Sequence, residues 1–117
     1  MQIPLQITFH GLDHSDAVEE RIRAKASRLE AIFNRIVSCR VVIELQHHSA
    51  SFHIRLFVVV PGDELVVKRE TKEAHIHEDI NVALRDAFLA MERQLNDYVT
   101  RHRRTNRIEP APADSLI

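Results

Sequence analysis

The sequence predicts an α+β fold: a two-layer sandwich in the order β-α-β-β-β-α, with a four-stranded sheet carrying two helices on one face. Three observations carry that expectation. Four short runs alternate apolar and polar residues, which is the period of a half-buried strand. Two longer segments repeat their apolar residues every three or four positions, which is the period of an amphipathic helix. Turn residues punctuate the chain where these periods change. Stacking both helices on one side of the sheet buries every apolar stripe at once.

The elements follow in order. Ile3, Leu5, Ile7 and Phe9 alternate with Pro4, Gln6 and Thr8 in a strand over residues 3–9. Pro4 falls on the outward phase, suited to an edge where a missing N–H does no harm. Gly11 to Ser15 form a turn; Ser15 or Asp16 caps the first helix, with Glu19 as capping-box partner to either. In residues 17–36, Val18, Ile22, Leu29, Ile32, Phe33 and Ile36 share one helical face, and the helix ends near residues 34–36. Cys39, Val41, Ile43 and Leu45 mark the second strand, Phe52 to Val60 the third, and Leu65 to Arg69 a shorter fourth. Residues 47–51 are one hairpin loop, and Pro61-Gly62-Asp63 is a strong turn between the last two strands. Residues 70–78 form a polar connection with no clear period. Ile80, Leu84, Ala87, Phe88, Met91, Leu95, Tyr98 and Val99 then hold a helical stripe through residues 79–104, roughly 39 Å long. Residues 1–107 therefore read as one α+β domain, and residues 108–117 as a disordered tail.

Composition excludes several classes of function. Sixteen Lys and Arg against 17 Asp and Glu leave the chain nearly neutral, so any nucleic-acid binding must come from local asymmetry rather than a general positive charge. Thirteen of the sixteen cations are Arg, whose planar fork matches phosphate. A lone cysteine, Cys39, excludes an internal disulfide framework and zinc-finger spacing, and its apolar neighbours mark it as a core thiol. No apolar run approaches a membrane span, and the amino terminus lacks the signal-peptide pattern, so a cytoplasmic protein without a membrane partner is expected. His47, His48, His53, His75 and His77 read as exposed loop residues, because no HExxH motif, cysteine pair or tight carboxylate cluster accompanies them. With two glycines in the chain, a phosphate-cradling nucleotide loop is excluded in practice. No catalysis, metal or cofactor is expected.

The distribution of charge is more informative than its sum. Arg21, Lys25, Arg28 and Arg35 gather along one edge of the first helix's apolar face, while Glu19, Glu20 and Glu30 point roughly the opposite way. Such a rail suits a row of phosphates; a solvated helix with clustered charge is the plainer alternative. Arg101, Arg103, Arg104 and Arg107 crowd the end of the second helix, with Arg93 earlier on it. Cations there complement the helix dipole, yet four arginines in seven residues exceed what capping requires. On the outer face of the sheet, Val42, Phe57, Val59 and Val66 stand among Arg40, Glu44, His53, Arg55 and Lys68. They form a candidate protein-contact patch for a regulatory partner or a second copy of the chain.

Three segments together resemble the ribosome hibernation-promoting factor family, also called the ribosome-associated inhibitor A family. They are MQIPLQITFHGLDHSDAVEERI, AKASRLEAIFNRI and HEDINVALRDAFLAMERQL, similar in order to the family's first strand and turn, its basic first helix and the start of its second helix. The resemblance covers residues 1–104. It implies a fold similar to the double-stranded-RNA-binding domain. It also implies binding to ribosomal RNA of the small subunit, in the channel between head and body where tRNA and mRNA sit. That would block initiation and hold ribosomes inactive in stationary phase or stress. Carried over by position, it favours Lys25, Arg28 and Arg35 as ribosomal RNA contacts, with the arginines after Gln94 replacing the family's basic helix end. The chain departs from the family pattern at Leu89-Ala90, where relatives often have Asp-Lys, and at Arg85, where Asp is usual. Its 70–78 connection is longer and richer in His. With ten residues after position 107, the dimerisation domain of long members is not expected. Sigma-factor modulation, named for some homologues, is the alternative through the outer sheet face.

Overall fold

The computed structural model describes residues 4–46, 51–71 and 76–108, with the side chains of residues 71, 76–79 and 103–108 outside that description. The elements are β1 (Leu5–His10), α1 (Asp16–Ile32), β2 (Ser38–Gln46), β3 (Ser51–Val60), β4 (Asp63–Thr71) and α2 (Ile76–Ile108). The strands form one sheet in the order β1-β2-β3-β4. β1 pairs parallel to β2, and the other neighbours are antiparallel.

Strand alternation decides which residues meet the helices. Ile7 pairs with Val41, Val41 with Leu56 and Leu56 with Val67, a cross-strand row on the inner face. Ile22, Ala26 and Leu29 of α1 bury against that face, as do Ile80, Leu84, Ala87, Phe88, Met91, Leu95 and Tyr98 of α2. Ala26 completes the α1 stripe at the i, i+4, i+7 positions of one helical face. Cys39 lies in this layer, 1% exposed, and burial pushes its thiol up to about 12. It is an inert core group.

The ends of α1 differ from the sequence reading. Ser15 is the cap: its backbone is extended, and its Oγ accepts from the Val18 N–H at 3.3 Å. Glu19 donates its backbone N–H to the Ser15 carbonyl but turns its carboxylate to His14 and Arg23, so no capping box forms. The helix stops at Ile32, earlier than expected. Phe33 takes extended φ and ψ of −148° and 112°, with its N–H on the Leu29 carbonyl. Ile36 is buried, but from the segment that leads into β2 rather than from a further helical turn; Val37 N–H already bonds the Val59 carbonyl at 2.8 Å.

α2 starts three residues before the expected position and β4 runs on to Thr71, so the polar connection is shorter than residues 70–78. At 33 residues α2 spans about 50 Å. The ten residues of β3 span about 33 Å. The helix must therefore overhang the sheet, and among the described residues its last buried one is Tyr98. The Tyr98 hydroxyl donates to the Pro61 carbonyl at 2.6 Å, and its ring meets Phe33 edge-on at 5.4 Å. Gln94 Nε2 donates to the Val66 carbonyl at 3.1 Å, tying α2 to the edge strand. Beyond these ties α2 projects as far as Ile108 and carries the arginine cluster. The 47–50 loop, His75 and residues 109–117 of the expected tail lie outside the described residues, as does the His77 side chain. Among the described residues, no helix is long and apolar enough to cross a membrane.

Tyr98→Phe should remove the hydrogen bond that fixes where the overhang begins. The expected cost is about 0.5–1.5 kcal/mol in urea denaturation, and an unchanged midpoint would show that the bond contributes nothing.

Candidate nucleic-acid interface

α1 and α2 lie side by side on the sheet and run in the same direction. Val18 and Arg21 line a cavity with Ile80 and Asn81 at one end, Arg28 meets Glu92 further along, and Phe33 meets Tyr98 at the other end. Helical repeat puts Arg21, Lys25 and Arg28 in one row of about 10 Å on the α2-facing edge of α1. Arg21 and Arg28 are exposed, and Lys25 is half-buried. Neither Arg21 nor Lys25 makes an ion pair among the described residues. Arg28 Nε stands 3.5 Å from Glu92 Oε2 across the groove. Seven residues before Glu92, and so on the same side of α2, Arg85 is exposed and 3.7 Å from Asp86.

The opposite edge of α1 has a different electrostatic character. Glu19 accepts from Arg23 NH2 at 3.0 Å and lies 2.5 Å from His14 Nε2. The hydrogen bond with His14 and then that with Arg23 hold its carboxyl below the ordinary range. Acid and base are thus paired with each other on that edge, leaving the groove edge positive. His14, Asp16 and Glu19 place one donor atom each within 4.8 Å, a grouping that sequence periodicity does not reveal because His14 precedes the helix. Arg23 already occupies the Glu19 carboxylate.

The remaining cations do not join the row. Arg35 is exposed in the turn after α1, not on the helix, because the chain leaves the helix at Phe33. Arg93 is exposed on α2 about 100° round from Glu92, toward solvent. Arg101 borders the β3–β4 turn, lining a hollow of about 250 Å³ with Pro61, Gly62, Asp63, Tyr98 and His102. Arg103, Arg104 and Arg107 lie on the projecting helix, with their side chains outside the described residues.

On the outer sheet face Val42, Phe57, Val59 and Val66 are half-buried rather than open. Arg40 lies 4.4 Å over the Phe57 ring, Arg55 bonds Glu44 at 3.0 Å, and His53 stands 3.4 Å from Glu70. Polar chains roof much of the apolar patch.

Residues 5–103 match the family described as Sigma 54 modulation protein / S30EA ribosomal protein. Over 91 residues the chain is 32% identical to the ribosome hibernation promoting factor of Azotobacter vinelandii, covering 78% of each protein. Its fold is similar to that of a ribosomal subunit interface protein from Coxiella burnetii, with a TM-score of 0.69 at 20% identity over 82% of this chain and 97% of that one. It is similar also to the N-terminal domain of Protein Y from Thermus thermophilus, with a TM-score of 0.65 at 19% identity over 80% of this chain and 94% of that one.

The Glu19 pairing sets a sign for its titration. A folded carboxyl held below its unfolded value stabilises the fold above that unfolded value, and the contribution is lost as pH falls through the folded one. Carbon-13 NMR titration of the Glu19 carboxyl should give a midpoint below an ordinary glutamate, rising toward it in His14→Ala. An identical midpoint in the variant would show that His14 is not the main cause.

Proposed function

This chain belongs to the Sigma 54 modulation protein / S30EA ribosomal protein family, and from that membership we propose that it binds the small ribosomal subunit and holds it inactive as a hibernation factor. The binding surface is the α1–α2 groove, and the ligand is ribosomal RNA in the channel that tRNA and mRNA otherwise occupy. A protein seated there stops initiation by occupancy, with no covalent step. Such a role places it with the ribosomes of the cytoplasm, in cells under stress or in stationary phase.

One observation carries this reading: Arg21, Lys25 and Arg28 stand in a single row on a helix whose opposite edge pairs its own charges. Arginine stays ionised and offers a planar fork to phosphate oxygens. The core fixes the backbone beneath the row through Ile22, Ala26 and Leu29, so little backbone freedom remains to be lost on binding. The projecting end of α2, with Arg101, Arg103, Arg104 and Arg107, extends the contact beyond the groove. Arg93 and Arg35 flank it as outlying contacts.

A second reading is favoured by the outer sheet face. Its Arg40, Arg55 and Lys68 are balanced by Glu44, Glu64 and Glu70 around the four half-buried apolar residues. A balanced face of that kind suits a protein surface, either a regulatory partner or a second copy in a homodimer, better than it suits phosphate.

Replacing Lys25 and Arg28 by Ala should leave circular dichroism unchanged and weaken co-sedimentation with small subunits. The expected loss is about tenfold or more for each charged hydrogen bond removed. Wild-type affinity in the folded double variant would overturn the groove as the interface. Truncation after Thr100 keeps every α2 residue that is buried among the described residues and should give a folded protein that inhibits translation in vitro poorly, whereas truncation after Arg107 should inhibit normally. Full inhibition by the shorter protein would reduce the arginine cluster to a solvated helix end.

A further inference from the structure

An acid beside a phosphate-binding row is an electrostatic liability, since it repels the ligand that the row attracts. Glu92 is such an acid, and it is set into the groove rather than away from it. Its side chain is 19% exposed, while that of its partner Arg28 is 69% exposed. Both backbones are fixed by the core: Met91 and Leu95 flank Glu92 in the buried face of α2, and Leu29 follows Arg28 in α1.

The contact has a direction. Glu92 Oε2 faces Arg28 Nε at 3.5 Å. Nε is the inner nitrogen of the guanidinium, next to the aliphatic stem, so an ion pair there leaves the two terminal nitrogens uncommitted to Glu92 on a side chain that is mostly exposed. A guanidinium has five N–H donors in a rigid fork, and the four on its terminal nitrogens are not the ones nearest the Glu92 carboxylate. An arginine on an exposed helix surface otherwise samples many rotamers, and fixing it before binding removes that cost from the binding step.

We infer that Glu92 is a positioning residue: it holds the Arg28 guanidinium across the α1–α2 groove with its terminal nitrogens displayed to a backbone phosphate. This rests on the groove being the RNA-facing surface. Glu92 does not touch the RNA. Its effect passes through Arg28, and its benefit in order outweighs the repulsion of its charge.

The sign of one substitution separates this role from the plain alternative. Glu92→Gln keeps size and hydrogen-bonding capacity but removes the charge. If Glu92 is only an acidic neighbour, the variant should bind small ribosomal subunits more tightly than wild type. Positioning predicts weaker binding, by about two- to fivefold, the scale of a single exposed ion pair. It also predicts no weakening when the same change is made in Arg28→Ala. Tighter or equal binding by Glu92→Gln, beside a weakened Arg28→Ala, would overturn the positioning role alone. Equal weakening in both backgrounds would overturn it too, by assigning Glu92 a general structural effect. Wild-type binding by Arg28→Ala would instead overturn the groove reading, and the role with it. A measurement without ribosomes completes the test. The Arg28 Nε–H should exchange with solvent more slowly in the wild-type protein than in Glu92→Gln, and equal exchange would overturn the proposal.

Discussion

Two helices must bury their apolar stripes on the same face of one four-stranded sheet, and the rest of the molecule follows from that requirement. β1 is parallel to β2, so the chain has to cross back between them, and α1 makes that crossing. β4 runs in the same direction as β1 and β2, so α2 leaves the sheet from the same end as α1. The helices therefore lie parallel, with both amino-terminal ends together and a groove between them. The positive ends of both helix dipoles point the same way along it. Arg28 and Glu92 are 64 positions apart in sequence and become neighbours only through this packing.

The same packing sorts the charges. The overall balance is close to neutral, yet the α1 edge beside α2 is basic while the far edge pairs Glu19 with Arg23 and His14. The outer sheet face is mixed, with Arg40 stacked on Phe57 and Arg55 bonded to Glu44. A nearly neutral protein thus presents one cationic line and one balanced sheet face. The line suits a polyanion of regular spacing, and the face suits a protein surface. The Tyr98–Pro61 bond fixes where α2 stops resting on the sheet and begins to project, which separates the arginines of its last turns from the groove.

Much of the fold was legible in the sequence because its strands alternate cleanly. Cys39, Val41 and Ile43, and Phe52, Ile54, Leu56, Val58 and Val60, fall on the inner face in the phase their pattern dictates. The α2 stripe was equally clear from Ile80 to Tyr98. The end of α1 was not legible, since Ile36 continues the helical period numerically while reaching the core from an extended segment. That displaced Arg35 from the row. The start of α2 lies in ETKEAHIHE, where no apolar period announces a helix. Ala26 is too small to register as a core anchor, although it is fully buried. Of the candidate site, the Arg21–Lys25–Arg28 row was visible from spacing on one helix. Its partner Glu92, and the placement of Arg85 on the same side, depend on how two distant helices pack, and local periodicity carries no record of that.

The central claim is that a row of cations on α1 meets phosphates on the small ribosomal subunit. Its most direct test is the affinity of the wild-type protein for purified small subunits as monovalent salt is raised. Each phosphate contact releases counterions and contributes about 0.7–0.9 to the slope of log affinity against log salt. Contacts from Arg21, Lys25 and Arg28 alone therefore require a slope of about −2 or steeper. A slope near zero would contradict the account and assign the binding to an uncharged surface.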